Sequence, residues 1–531
     1  MRLFRGAVIA VGAVGALVAG AVAFGSCETR RATTEGRGET VIVGRASDPL
    51  SLDPARVTDS ESIETCEQIF EHLVRYRRDS MEIEPALATH WEVAQGGKVW
   101  TFHLRRGVSF HDGTPFDADA VVWSLERQRD THHAAHQADF VYWESSFRNI
   151  QRVDKIGDHT VRITIDRPYA PFLANLAMFP VSILSPTAVR RAGASYDRRP
   201  VGTGPFRFVE WVPGERLTLA ANPYYWGGAP KLEYLVFRPI RDPRQRLQAM
   251  EGGAVDVAYG LAPHDLPFVR LHPEFRLTRI PGNNVAYLAM NTQKRPFSDV
   301  RVRRAVNHAI NKLAIVKLIH QGLATPAKGP IPPGMWSYSD DLPDYPYARE
   351  KARALMAEAG APTGLHLRLY SPSTPRPYLP APERLSRIIA GNLREIGLDV
   401  EVVSQPLAAH LRSMSNGEHD LGLHGWTGDN GDPDNFLYML LDRDNTIPGL
   451  AKNYAFYRNG ALHGLLIWAQ ESSDRQERER LYRQAQRIVH DDAPWVPLWH
   501  SDFTVVTASR VQGLRLHPAA RIYYQGVRHG R

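Results

Sequence analysis

A two-lobed α/β fold is predicted for this chain by three features of its sequence. Its 531 residues exceed what one hydrophobic core usually holds, so at least two lobes are expected, each large enough to fold without staples. From Thr40 onward, short strand-like runs alternate with amphipathic stretches in a βαβ rhythm, which argues for a mostly parallel sheet in the later part of the chain. Finally, the twelve residues Gly425–Phe436 hold three acids, two asparagines, three glycines and a proline directly after a short strand. Open α/β sheets receive ligands in the crevice beyond the carboxyl ends of their strands, so an Asp at such an exit is placed to meet one.

The elements follow in order. Arg2 and Arg5 precede the uncharged apolar run Gly6 to Phe24, which ends at Gly25-Ser26-Cys27 and reads as an export signal. The last three residues resemble the cleavage box of bacterial lipoproteins, with Cys27 as the lipidated residue, although Phe24 stands where that box usually has Leu. Cleavage after Ala23 and an uncleaved membrane anchor are the two other outcomes the run allows. Residues 28–39 are a polar tether, and no second run of spanning length follows. Cys66 shares helical spacing with Ile69, Phe70 and Leu73, which makes it a small buried core residue.

Thr40–Ala46 is predicted as a strand, Glu61–Leu73 as a helix, and Val99–Leu104 as a strand, with Asp117 capping a helix over Ala118–Arg129. Thr160–Ile165 is a further strand. After Ile280-Pro281-Gly282 comes the strand Val285–Asn291, then one long helix Val300–His320 opened by Ser298-Asp299. Tyr347–Ala359 and Pro382–Glu395 are helices, Leu398–Val403 a strand, Leu407–Asn416 a helix, and Asp420–His424 the strand that delivers the long loop. The amphipathic helix Arg475–His490 and the strand Pro497–Thr507 lead to the tail.

Composition narrows the function. Lys and Arg number 64 against 57 Asp and Glu, and the basic residues are scattered rather than run together, so nucleic acid is not implied. His132, His133 and His136 lack Cys or acid partners in a polar loop and are expected to face solvent, with no metal and no cofactor. The chain holds no His-Glu-x-x-His, Gly-x-Ser-x-Gly, Ser-x-x-Lys or phosphate loop, which weighs against a secreted hydrolase, the alternative from another class. The acids of the long loop also serve as ordinary turn residues. They do not make a calcium loop, because after Asp432 and Asp434 the required glycine position is Leu437.

Gly425–Phe436 resembles the binding loop of the dipeptide-binding proteins, the extracytoplasmic receptors of ABC peptide importers. Val99–Gly113, Val201–Phe206, Asn222–Gly227, Ile331–Trp336 and Gly417–His419 fall in that family's order, so the similarity covers nearly the whole mature chain. The resemblance implies a periplasmic-binding-protein-like fold: two lobes with mixed sheets joined by a hinge, the ligand in the cleft between them. It divides the chain into a first lobe of 40–280 plus 501–531 and a second lobe of 281–500, crossing near Ile280–Ala286 and near Trp499–Phe503. It further implies a monomer that delivers a small peptide to membrane permease subunits. Some relatives carry disulfides for which this chain lacks the cysteines.

By the same resemblance Asp429 matches the acid for the peptide's α-ammonium group, and Arg376, in Pro375-Arg376-Pro377-Tyr378, matches the arginine for its α-carboxylate. The chemistry suits both: an ammonium sealed from water needs a carboxylate, and a planar guanidinium gives a carboxylate two parallel bonds. Gly425, Trp426 and Thr427 would lie beside the ligand backbone, with Thr58, Asp59 and Ser60 offered by the other lobe. Glutathione, haem, 5-aminolevulinate and oligopeptides are the alternative ligands among relatives of this family.

Overall fold

The computed structural model of the chain describes residues 39–530. The expected signal with Cys27 and all but the last residue of the tether lie outside the described residues. Among the described residues, no helix is long and apolar enough to cross a membrane.

A twelve-stranded mixed sheet runs through the molecule. At one end Leu398–Gln405, Leu365–Pro372 and Leu421–Thr427 pair in parallel; Asn284–Met290 and Trp495–Ala508 then add antiparallel. At the other end Thr40–Arg45 pairs in parallel with Tyr234–Pro239 and Val257–Tyr259. The mostly parallel sheet expected for the later half is therefore mixed, because Asn284–Met290 runs against the neighbours on both its sides. A separate four-stranded antiparallel sheet is ordered Ala88–Ala94, Val99–Leu104, Thr160–Ile165 and Ile150–Gly157.

The apolar residues fall into two large core groups, with a smaller cluster that joins Leu323 to Leu247, Val269 and Val506. One group draws on residues from Val285 to Trp499, with Leu385, Ile389 and Leu393 of the helix Pro382–Arg394 forming one buried stripe at i, i+4, i+8. The other group joins Val41 through Val257 to Val505 and the tail residues Ile522, Tyr524 and Val527. The chain passes between the groups at two adjacent places. Phe275–Pro281 hands over to Asn284–Met290 through Gly282 and Asn283, and Trp495–Ala508 runs straight through, pairing Asn284–Met290 with its first part and Phe275–Pro281 with its second. The two passages are tied together: the Asn284 amide donates to the Ser501 carbonyl at 2.8 Å and accepts from the Ser501 N–H at 2.9 Å. A Cβ at position 282 would come within 2.3 Å of that carbonyl, so only glycine fits there.

Local predictions fail where capping or tertiary pairing intervenes. The helix expected over Val300–His320 is two, Val300–Ala309 and Lys312–His320, because Asn311 leaves helical geometry and caps the second by accepting from the Ala314 N–H at 3.0 Å. The first helix is Ser60–Ile69 rather than Glu61–Leu73, since Phe70 turns extended; Cys66 is buried on it as expected. The strand ending at His424 in the sequence reading continues to Thr427, so Gly425, Trp426 and Thr427 are strand and not loop.

Candidate ligand-binding site

The parallel strands Leu365–Pro372 and Leu421–Thr427 end on the same edge of the sheet, and each delivers a loop there. The first loop carries Arg376, the second Asp429. The sequence expected both side chains at one crevice, and the topology puts their loops side by side.

Arg376 sits in a tight turn closed by two backbone hydrogen bonds with Leu379, at 3.0 and 2.8 Å. It is half-buried, its Nε has no hydrogen-bond partner, and it makes no ion pair among the described residues. Its charge reaches the first turn of the helix Ser60–Ile69: burial pushes the Glu61 carboxyl up, and Arg45 and Arg376 pull it back. Glu61 follows directly on the Thr58-Asp59-Ser60 segment. Thr58 and Ser60 are exposed. Asp59 has a structural task, since one carboxylate oxygen accepts the Ser62 N–H at 2.9 Å as the helix cap, while its Oδ2 is buried without a partner.

The three acids of the second loop have different fates. Asp432 is fully engaged by Arg478, whose Nη2 lies 2.8 Å from both carboxylate oxygens. Asp434 accepts from Gln470 at 2.9 and 3.2 Å and from the Tyr169 hydroxyl at 3.1 Å, and burial beside Asp432 pushes its pKa up to about 7. Asp429 has no cation in contact among the described residues. Its carboxylate meets the Tyr142 hydroxyl at 3.3 Å, and its backbone N–H donates to the Asn435 side chain at 3.1 Å. Burial pushes its pKa up to about 6, against the bonds from Tyr142 and Asn435 and the more distant charges of Arg521 and Lys452.

The Asp429 loop is held in shape from both sides. Asn283 donates to the carbonyls of Gly428 and Asn430 at 3.3 Å and accepts the Gly428 N–H at 2.7 Å. Across the cleft, Tyr76 meets the Gly431 N–H at 3.1 Å and Asn175 accepts from Asn430 at 2.6 Å. A Cβ on Gly431 would strike Met81 at 2.8 Å, so the loop lies directly against the first lobe.

Gly425, Trp426 and Thr427 pair with Ala286, Val285 and Asn284 on one edge. On the other edge only Leu421 and Gly422 pair, with Leu369 and Tyr370, so the strand past Gly422 keeps an open side. Alternate amides and carbonyls of a strand point to that side and are available to an extended ligand. Gly425 is required by the Tyr378 ring, which a Cβ would approach to 2.3 Å. Trp426 is half-buried and donates to Asn435 at 2.8 Å, so Asn435 links the tryptophan to the Asp429 backbone.

Sequence reasoning missed Tyr142, Asn283, Asn435 and Arg478. Tyr142, Asn283 and Arg478 stand in no motif, Asn435 lies in the long loop without a role that its composition reveals, and each acts through a tertiary partner or a turn. The three histidines near position 132 do not converge: His132 pairs with Asp130, His133 accepts the Ala135 N–H, and His136 meets the Arg127 carbonyl.

Comparison with known proteins adds the family. Residues 82–447 match the model for bacterial extracellular solute-binding proteins, family 5 middle. The chain is 37% identical over 505 residues to the Heme-binding protein A of Haemophilus influenzae, covering 92% of each. It is 34% identical over 506 residues to the Dipeptide-binding protein of Escherichia coli, covering 92% of this chain and 94% of the relative. Among solved structures, the ABC transporter-associated periplasmic binding protein DppA of Helicobacter pylori in complex with the peptide STSA superposes with a TM-score of 0.81 at 34% identity, covering 93% of this chain and 99% of that one.

Proposed function

The chain belongs to the bacterial extracellular solute-binding proteins of family 5, and from that premise we propose that it is the receptor of an ABC importer for short peptides, held by their charged ends. The observation that carries this reading is Asp429, which unlike Asp432 has no cation in contact among the described residues, half-buried at the end of a strand with an open edge. A ligand α-ammonium supplies the missing charge. Arg376, also without an acid partner, takes the α-carboxylate, and Gly425–Thr427 pair with the ligand backbone. The protein delivers its ligand to membrane permease subunits and performs no chemistry on it. Calorimetry with free and N-acetylated dipeptides tests the reading, because only the free form carries the ammonium.

The raised Asp429 pKa fixes a pH dependence. Its folded value of about 6 lies above the ordinary value of about 3.9, so the unliganded protein binds a proton there as pH falls below 6. The sign follows: this group's contribution to the stability of the unliganded fold declines as pH rises from about 4 to about 6, and a bound ammonium reverses that loss. Peptide affinity should therefore fall as pH drops below about 6, by at most about tenfold per unit. Titrations from pH 7.5 to 4.5 check it, using Asp429→Asn to separate this group from Asp434. Affinity that stays flat in the wild type would remove Asp429 from the site.

A haem ligand is the second reading, favoured by the 37% identity to Heme-binding protein A. Haem offers no ammonium, so equal affinity for free and N-acetylated dipeptide, together with a haem absorption band on titration, would select it.

Two further parts of the proposal concern movement and attachment. The lobes, 40–280 with 501–531 and 281–500, close about the two lashed passages at Gly282–Asn284 and Ser501. Small-angle scattering should show a smaller radius of gyration with dipeptide than without, and an identical profile at saturation would mean the cleft does not close. Cys27 carries lipid and holds the protein on the outer face of the membrane. Radiolabelled palmitate should enter the wild type and not a Cys27→Ser variant; equal label in both would rule the anchor out.

A further inference from the structure

Away from the cleft, the outer face of the four-stranded sheet gathers three metal-binding side chains. The geometry points to His90, Glu92 and His103 as a surface site for a divalent transition ion of the Zn2+, Ni2+ or Cu2+ class, held by two imidazoles and one carboxylate.

Strand alternation puts them together. Trp91 and Phe102 pair across the two strands on the inner face and pack into the core, so His90, Glu92 and His103 face outward. His90 stands directly opposite His103 in the antiparallel register, and Glu92 is two residues along on the same face. The imidazole rings stack with centroids 4.2 Å apart and planes 7° from parallel, side by side on the outer face. One donor atom from each of the three residues lies within 4.8 Å of the others.

The distances suit one ion. His103 Nε2 and Glu92 Oε1 are 3.3 Å apart. A tetrahedral ion with ligands near 2.1 Å spaces them by about 3.4 Å, so these two need almost no movement. Thr89 sets the remaining ligand. Its hydroxyl lies 3.1 Å from both the His103 carbonyl and His90 Nδ1, and with its single hydrogen on that carbonyl it accepts from the ring. His90 therefore carries its proton on Nδ1 and offers an unprotonated Nε2, the arrangement in which a neighbouring group orients a ligating histidine. The donor set is too nitrogen-rich for Ca2+ or Mg2+ and holds no sulfur for Cu+. Arg162 lies outward on the next strand, opposite Thr101, and its charge moderates the affinity.

As an ordinary surface ion pair, His103 and Glu92 would need neither the His90 stack nor the Thr89 bridge. The test is titration of the tag-free mature protein with Co2+, read by its visible absorption, followed by displacement with Zn2+. One equivalent should bind, with at least about tenfold weaker binding in His90→Ala, His103→Ala and Glu92→Gln. Thr89→Val should weaken binding too, which loss of a mere surface charge pair would not produce. The triple variant His132→Ala, His133→Ala, His136→Ala should keep the wild-type signal. Thr89, His90 and Glu92 are exposed and His103 half-exposed, so melting temperatures of the site variants should be unchanged and confirm that each folds. No uptake by the wild type, or equal affinity in His90→Ala and His103→Ala, overturns the site.

Discussion

Replacing Asp429 with alanine is expected to weaken binding of a free dipeptide by roughly two to four orders of magnitude. Removing one partner of a desolvated ion pair costs about 3–5 kcal/mol, because the other charge stays buried and unmatched. Here the ammonium of the ligand is left facing Tyr142, whose hydroxyl meets the carboxylate at 3.3 Å, and the amide of Asn435. Neither replaces a negative charge. The N-acetylated dipeptide should bind the wild type about as poorly as the free dipeptide binds Asp429→Ala. Arg376→Ala should weaken dipeptides far more than tripeptides, whose carboxylate lies beyond the guanidinium fork. Calorimetry on these three proteins with three ligands is sufficient. The zwitterion reading fails if Asp429→Ala binds the free dipeptide within tenfold of the wild type.

The loss should be confined to binding. Asp429 makes no ion pair in the fold among the described residues, and its carboxylate is destabilised by burial, so Asp429→Asn should melt no lower than the wild type at pH 7. A site residue that is costly to the empty protein and needed by the loaded one is the signature of a binding group rather than a structural one.

How much of this was legible depended on the range over which each interaction acts. Asp117 marked the helix Ala118–Arg129 to the residue, because an N-cap bonds a backbone amide three positions away and the pattern is local. Asn311 escaped notice because a cap within a continuous apolar pattern looks like one helical residue among many. The strand over Gly425–Thr427 was hidden by its composition. Gly425 and the turn-rich run after Thr427 read as loop, and it is pairing with Asn284–Ala286, some 140 positions earlier, that makes the segment extended. Within the long loop, Asp429, Asp432 and Asp434 are equivalent as letters. They are told apart only by partners, Arg478 lying 46 residues after Asp432 and Tyr142 lying 287 residues before Asp429. The resemblance, and not the letters, singled out Asp429, whose carboxylate meets the Tyr142 hydroxyl at 3.3 Å.

Arg478→Ala should be the most destabilising single change in the neighbourhood of the site. Arg478 and Asp432 are each under a tenth exposed, at 7% and 6%, so neither charge is shared with water. The guanidinium spans two parts of the second lobe: Nη2 reaches both Asp432 oxygens, Nε donates to the Ala469 carbonyl at 2.8 Å, and the Tyr482 hydroxyl lies 3.1 Å away. Truncation leaves Asp432 buried with only the Tyr482 hydroxyl at 3.4 Å and the Asp434 backbone N–H at 3.1 Å, and the expected cost is about 3–5 kcal/mol. The double variant Arg478→Met with Asp432→Asn should recover a large share of that loss, because a buried ion pair contributes little net stability compared with well-packed neutral groups. Urea unfolding at pH 7 of the wild type, each single variant and the double variant gives the coupling energy directly. Peptide affinity should fall in Arg478→Ala as well, since Asp432 anchors the same loop that carries Asp429. A loss below about 1 kcal/mol in Arg478→Ala would place the pair in the range of exposed ion pairs and would mean that the loop is held chiefly by Asn283, Tyr76 and Asn175.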